Sequence, residues 1–400
     1  MANARKAALT KLPLELLWLI SAHLTPVDFA CLALGNRHLL NSFSTDALSK
    51  FSSVRTGAPT DYERIELLSR ISRDIPQYYP CFICLRLHLW RKIQLPSLYS
   101  PSINHNMSPM DLDNCHLIFE RPLASYPSYT HYGFYFVHLQ LAMRRFYHGP
   151  EFGIPVESLL YTEVGAKILE PKDSLLLQRD VNNLSGDPKR GVMLTLFSAE
   201  SRICSTPPGL CMRTQDIAVV ARKNAAWIWA GRGYAIMRVC KHINTLNSDF
   251  YDILISQIKR YCSTTGSKAH PDQGKYHECN TSWQLEIRNL DESRTSLTLS
   301  RWIDLGPGLS TEDVEWKYRL DCVMSTPSRQ ELVDSRSRFE KESIQAGFPD
   351  ALSEEAIYRR NVALLRGNTF QRVMTPVRGG FYILRGDSNT KTDSPGCLIL

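Results

Sequence analysis

The chain has 400 residues, of which 43% are hydrophobic and 22% are charged. This composition is typical of folded protein and excludes wholesale disorder. The net charge of +7, from 47 basic and 40 acidic residues, is spread along the chain without a block of like charges. We therefore expect no nucleic-acid partner.

The start of the chain does not resemble a secretory signal, because Glu15 interrupts the first apolar run. The longest apolar stretches are also far shorter than the ~18 residues that indicate a membrane span. The eleven cysteines are then expected to be thiols or metal ligands, not disulfides. We expect an intracellular protein of the cytoplasm, the nucleus or both.

The first 45 residues predict three short helices. The first carries one apolar stripe at helical spacing, formed by Leu12, Leu16, Leu17, Ile20 and Leu24. Three helices of this length expose more apolar surface than they can bury in one another. The remainder must be covered by a partner or by the rest of the chain.

The second of these helices has a clear start and a clear end. Thr25 can cap it, Pro26 suits its first position, and Asp28 suits the positive end of its dipole. Gly35 predicts where it stops, and residues 37–43 form a short third helix.

The segment LPLELLWLISAHLTPVDFACLALGNRHLL resembles the F-box, whose pattern begins Leu-Pro-x-Glu and continues with a Leu-x-x-x-Asp hinge and a leucine-rich second helix. In that family this surface binds a Skp-type adaptor, which connects to a cullin scaffold. The resemblance implies eight partner-binding residues in this chain: Leu12, Pro13, Glu15, Leu16, Ile20, Leu24, Asp28 and Leu32. An ordinary helical hairpin packed on the rest of the chain is the alternative interpretation.

The resemblance extends beyond this motif. CFICLRLHLW, YHGPEFGIPVESL, AKILE, CNTSWQLEI and TLSRWIDLGPG follow in the order seen in a large group of fungal F-box proteins of unknown substrate. The likeness covers most of residues 10–320. It implies an adaptor with an unclassified substrate-binding body that has neither leucine-rich repeats nor propeller blades.

The rest of the chain predicts a mixture of helices and strands. Helices are expected at 61–75, 250–262, 330–346 and 353–365, and β-prone runs occur at 132–141, 192–197, 235–240, 283–287 and 296–303. The fold class is therefore α+β, with a three-helix F-box followed by a mixed α/β body of mainly antiparallel strands. The predicted divisions are an F-box at 8–50, a helical connector and loop at 51–113, the body at 114–325, C-terminal helices at 326–390 and a flexible tail at 391–400.

Two sets of cysteines and histidines are candidates for a structural zinc site. Cys240 and His242 are two residues apart on a β-prone run, as are His277 and Cys279, so each pair would project from one strand face. Together they could provide the four ligands of a tetrahedral zinc.

The rival set is Cys81-x-x-Cys84 with His88, joined by Cys115. Cys-x-x-Cys is a common zinc half-site, although its flanks look helical and apolar, where small buried cysteines are the usual interpretation. Apart from this structural zinc, we expect no cofactor.

The last four residues, Cys397-Leu398-Ile399-Leu400, fit the signal for geranylgeranylation of Cys397. A single prenyl group would give weak, reversible membrane association, because stable anchoring usually needs a second signal. The alternative is coincidence, since four residues carry little information.

No enzyme motif is found: the chain has no nucleophile elbow, phosphate-binding loop, zinc-protease helix or dinucleotide fingerprint. The sequence predicts a substrate-recruiting adaptor of a Skp–cullin–F-box ubiquitin ligase, which is not itself an enzyme and which binds an unknown protein substrate. The alternative is a zinc-stabilised interaction or nucleic-acid-binding protein that acts outside ubiquitination.

Overall fold

The structure is a computed structural model. It describes residues 11–52, 61–96, 132–169, 191–230, 238–240, 243, 248–263, 270–276, 279–311, 313, 315–316, 334–341, 358–359, 361–363, 374–377 and 381–384. The described residues form two compact units. The first contains those up to Ile93 together with Arg144–Ile154, and the second contains the others.

The first unit begins with the helices α1 (Leu14–Ser21), α2 (Pro26–Leu34), α3 (Arg37–Ser52) and α4 (Asp61–Asp74). The predicted cap of α2 is confirmed, because the Thr25 hydroxyl accepts a hydrogen bond from the Asp28 amide at 3.1 Å. Asn36 starts α3, since its side-chain oxygen accepts from the His38 amide at 2.7 Å. This helix continues to Ser52 and is longer than the short helix predicted at 37–43.

A small antiparallel hairpin follows α4, with strands β1 (Tyr78–Pro80) and β2 (Leu87–Leu89). Arg144 joins it to the end of α4. Its guanidinium donates to the Ser72 hydroxyl at 2.7 Å and to the Tyr78 carbonyl at 2.9 Å. Burial, assisted by Arg73, lowers the pKa of Arg144 to about 10, so the side chain stays cationic at neutral pH.

The strand expected at 132–141 is wrong, because this segment enters helix α5 (Phe136–His148). The helix begins with the Tyr135 amide donating to His138 Nδ1 at 2.9 Å. Nearly every residue from 132 to 143 is buried. Val137, Leu139 and Leu141 alternate with the polar residues His138 and Gln140, so this short stretch has the period of a strand although it is helical.

The second unit is built on an eight-stranded antiparallel sheet, in the order β6-β7-β8-β5-β4-β3-β10-β9. The strands are β3 (Tyr161–Leu169), β4 (Gly191–Ser205), β5 (Pro208–Ala221), β6 (Asp272–Tyr276), β7 (Thr281–Asn289), β8 (Arg294–Asp304), β9 (Met374–Val377) and β10 (Phe381–Leu384). The strands predicted at 192–197, 283–287 and 296–303 are confirmed. Strands β9 and β10 lie in a segment for which only helices were predicted. The mixture of helices with antiparallel strands makes the fold α+β.

One face of this sheet is apolar and is covered by helices α6 (Ala225–Ala230) and α7 (Ser248–Ser263). Alternate residues of β7 and β8, such as Leu285 and Leu299, point to this face and are fully buried. Phe250 of α7 packs edge-on against Trp283 with ring centroids 5.4 Å apart. The helix predicted at 250–262 is thereby confirmed.

The opposite face is richer in polar residues and is covered by α8 (Ser335–Lys341) and by residues 358–363 where described. Phe339 packs there with Trp302, Cys204 and Cys211 in a fully buried cluster. A hydrogen bond with Cys204, followed by burial, raises the pKa of the Cys211 thiol, so it stays protonated. Within the described residues, no helix is both long enough and apolar enough to cross a membrane.

Candidate protein-interaction surface and Cys/His cluster

Helix α1 is almost wholly apolar, yet it buries only one side chain deeply. Leu17 is 1% exposed, whereas Leu16 is 47% and Leu19 is 64% exposed. Leu19 follows Leu17 by two residues, or about 200° around the helix, so it points away from the core. We name the exposed apolar residues of this helix the α1 surface: Leu14, Leu16, Trp18, Leu19 and Ile20.

The α1 surface is held on a small core formed by the first three helices. Leu17, Ala33, Leu39 and Phe43 are buried in it. Trp18 contacts this core through its edge, with its ring centroid 5.0 Å from that of Phe43, while 38% of the side chain stays exposed. The core fixes the helix and leaves five of its apolar side chains between 37% and 64% exposed.

The start of α2 is connected to α4 through charges. The Thr25 hydroxyl hydrogen-bonds Asp28, and Arg70 donates to Asp28 Oδ1 at 2.5 Å and to Glu66 at 2.7 Å. The Thr25 hydrogen bond and then the Arg70 guanidinium hold the pKa of Asp28 below its ordinary value of 3.8. The same carboxylates raise the pKa of Arg70. Asp28 is therefore ionised and engaged within its own unit.

The eight residues predicted to bind a partner fall into two groups. Pro13, Glu15, Leu16 and Ile20 are exposed, and the half-buried ones are Leu12, Leu24, Asp28 and Leu32. Leu12 and Leu32 pack against the small core.

Leu14 and Leu19 are exposed apolar residues that the sequence did not indicate as binding residues. The sequence nevertheless indicated that α1 would leave apolar residues exposed. A helix that is apolar all round cannot bury every face against two short neighbours.

A second constellation lies in the β1–β2 hairpin. Cys81, Cys84 and His88 each offer a ligand atom, and these atoms all lie within 4.8 Å of one another. Cys84 Sγ is 2.9 Å from His88 Nε2. Cys81 is buried and the other two are half-buried. The segments on either side of the two cysteines looked helical in the sequence. They are instead the strands β1 and β2, and the preceding helix ends at Asp74.

The set Cys240, His242, His277 and Cys279 is described only in part, because both histidines lie outside the described residues. The two cysteines are buried. Cys240 Sγ accepts from the Ile243 amide at 3.3 Å, and Cys279 Sγ is 3.2 Å from the Thr281 hydroxyl. Cys115 and Cys397 also lie outside the described part of the chain.

Comparison with known proteins gives no relative: no family model matches this chain, and neither does any curated protein or solved structure. The function is therefore proposed from the sequence pattern of the first helices together with the surfaces described above.

Proposed function

We propose that this chain is a substrate-recruiting adaptor of a Skp–cullin–F-box ubiquitin ligase, and that the α1 surface binds the Skp-type adaptor. The observation that carries the proposal is the exposure of five large apolar side chains on one eight-residue helix. Large exposed apolar side chains concentrated on one short element are characteristic of protein-interaction sites.

The geometry suits a helix-binding partner with an apolar groove. Trp18 is anchored at one edge by Phe29 and Phe43, so a partner would meet a fixed aromatic side chain and not a mobile one. Leu16, Leu19 and Ile20 would supply the aliphatic part of the contact. Preorganised aromatic and aliphatic anchors are what concentrate binding energy at interfaces.

In this proposal the second unit holds the protein substrate near a ubiquitin-charged enzyme. Catalysis by proximity needs no acid, base or nucleophile from the adaptor itself. The chain is then not an enzyme.

The test is affinity purification of the tagged full-length chain, scored for the Skp-type adaptor and the cullin. The variant is Leu16→Ser with Leu19→Ser, and the matched control is Leu309→Ser, whose leucine is 62% exposed in the second unit. Each leucine is worth about 1.5 kcal/mol when buried, so the double variant should bind at least tenfold more weakly. Thermal unfolding should stay unchanged, because both leucines are exposed.

The double variant Leu12→Ala/Pro13→Ala tests the Leu-Pro step separately. Recovery of both partners by the wild type and by Leu309→Ser, with loss in either double variant, would support the ligase. Recovery of neither partner would refute it. Recovery of the Skp-type adaptor without cullin would instead favour an interaction protein outside ubiquitination.

A further inference from the structure

We propose that the β1–β2 hairpin binds one zinc ion through Cys81, Cys84 and His88. This site is independent of the adaptor function and would stabilise the first unit. The proposal starts from the hairpin register, which pairs Tyr79 with His88 and Pro80 with Leu87. That register brings His88 back beside the turn that carries both cysteines.

The turn itself has the shape that two cysteine ligands need. The Cys81 amide donates to the Arg86 carbonyl at 2.8 Å, and the Leu85 amide donates to the Cys81 carbonyl at 3.0 Å. Leu85 adopts a φ of 52°, a left-handed conformation that is uncommon for a leucine. The backbone therefore folds tightly around Cys81 and Cys84 and directs both sulfur atoms toward one point.

The distances fit a tetrahedral ion. With zinc about 2.3 Å from sulfur and about 2.0 Å from nitrogen, neighbouring ligand atoms lie about 3.5–3.8 Å apart. The three ligand atoms of the hairpin fall within 4.8 Å of one another. Cys84 Sγ and His88 Nε2, at 2.9 Å, need to separate by about 0.6 Å to admit the ion.

The ligand chemistry selects the metal. Two sulfur ligands and one imidazole suit zinc, whereas calcium and magnesium take oxygen ligands. Neither Cys81 nor Cys84 is in a disulfide. Among the described residues no fourth Cys, His, Asp or Glu joins the cluster, and Cys115, the fourth residue predicted from the sequence, lies outside them.

The position of the site explains what zinc would do. Strands of three residues make a hairpin that is marginal by itself. This hairpin is tied to α4 through Arg144, and Trp90 donates from its indole to the Glu151 carbonyl at 3.0 Å. A zinc ion closing the turn would fix both strands and therefore these attachments.

The first experiment measures zinc in the full-length chain purified without chelators. We expect one zinc per chain, and at least tenfold less in Cys81→Ser, Cys84→Ser and His88→Asn. Two controls, Cys262→Ser on the exposed side of α7 and Cys279→Ser from the alternative set, should keep the metal. A metal-free wild type, or loss of zinc in Cys279→Ser with retention in Cys84→Ser, would overturn the proposal.

A second measurement does not depend on the folding of variants. The wild-type chain is alkylated with and without a zinc chelator, and each cysteine is located by peptide mass spectrometry. Cys81 and Cys84 should become at least tenfold more reactive when zinc is removed, whereas exposed Cys262 should react equally in both samples. Equal reactivity of Cys84 in the two samples would contradict the site.

Discussion

Arg70 of α4 donates to Asp28 at the start of α2, with Nη1 2.5 Å from Oδ1, across 42 residues of sequence. Both side chains are 38% exposed, so solvent screens the pair and its net energy is small. The ion pair contributes to the orientation of the helices more than to stability. It fixes α4 against the helix that supports the α1 surface, where Val27, Ala30 and Leu67 also pack together.

Replacing Arg70 with methionine should raise the pKa of Asp28 toward its ordinary 3.8, because one of the two interactions that lower it is lost. In the wild type, the stability contributed by Asp28 is present above pH 3.8 and is lost as the pH falls through the lowered folded pKa. A carboxyl-detected NMR titration of Asp28 measures this shift directly. The Asp28→Asn variant is the control, since it should lack this acid-dependent component, and an unchanged Asp28 pKa in Arg70→Met would contradict the assignment.

Thr25→Ala should weaken the start of α2 by about 1 kcal/mol, because the hydroxyl that accepts from the Asp28 amide is removed. Hydrogen exchange of the first α2 amides should become about fivefold faster, since it reports local opening. Thr25→Ser keeps the hydroxyl and should exchange at nearly the wild-type rate. Identical exchange in the alanine and serine variants would show that the cap contributes nothing.

The buried ion pair between Arg301 and Asp216 should be costly to break on one side only. Both side chains are almost fully buried, and burial raises the pKa of Asp216 to about 6, so the carboxylate is still ionised at pH 7. Arg301→Met should destabilise the second unit by about 3–5 kcal/mol, because it leaves an uncompensated buried charge. Arg301→Met with Asp216→Leu should recover most of that loss in denaturant unfolding.

The matched comparison is the exposed pair Arg260–Asp272. Arg260→Met should change stability by less than about 1 kcal/mol. If Arg260→Met lowered the stability as much as Arg301→Met, burial would not be the cause of the destabilisation.

Gly274 on β6 should not accept a side chain, because an added Cβ would lie 2.6 Å from the ring of Trp283. Gly274→Ala should therefore destabilise the sheet edge by about 1–3 kcal/mol through overpacking. Gly35→Ala is the control, since its Cβ would meet nothing closer than 3.4 Å and its φ is −65°. Denaturant unfolding followed by tryptophan fluorescence would compare them, and equal stability of the two variants would refute the clash.

The fold was predictable from the sequence where the pattern was periodic. The helices at Asp61–Asp74 and Ser248–Ser263 and the strands within β4, β7 and β8 show the spacing that their elements require. Helix α5 was missed because Val137, Leu139 and Leu141 alternate with His138 and Gln140, a period of two that is typical of a strand. Strand β10 depends on pairing with β3, and β9 on pairing with β10, neither of which local sequence reveals.

The α1 surface was predicted more completely than the Cys/His cluster of the hairpin. Leu16 and Ile20 were expected on an interaction surface, and both are exposed. Leu19 was missed because it lies outside both the apolar stripe and the F-box pattern, which were the sources of the predicted binding residues. The proximity of Cys81, Cys84 and His88 depends on the register of β1 with β2 and on the left-handed turn at Leu85, neither of which follows from spacing alone.

The pairing of β3 with β10 has a consequence for biosynthesis. Lys167 is paired with Phe381, so one edge of β3 has no neighbour until more than 200 further residues have been synthesised. At about 5–20 residues per second, that interval lasts roughly 10–40 s. The clusters that hold α1 to α4 together use only residues 12–71, so these helices can pack on the ribosome long before the sheet is complete. A partner of the α1 surface could then bind the nascent chain while its second unit is still being made.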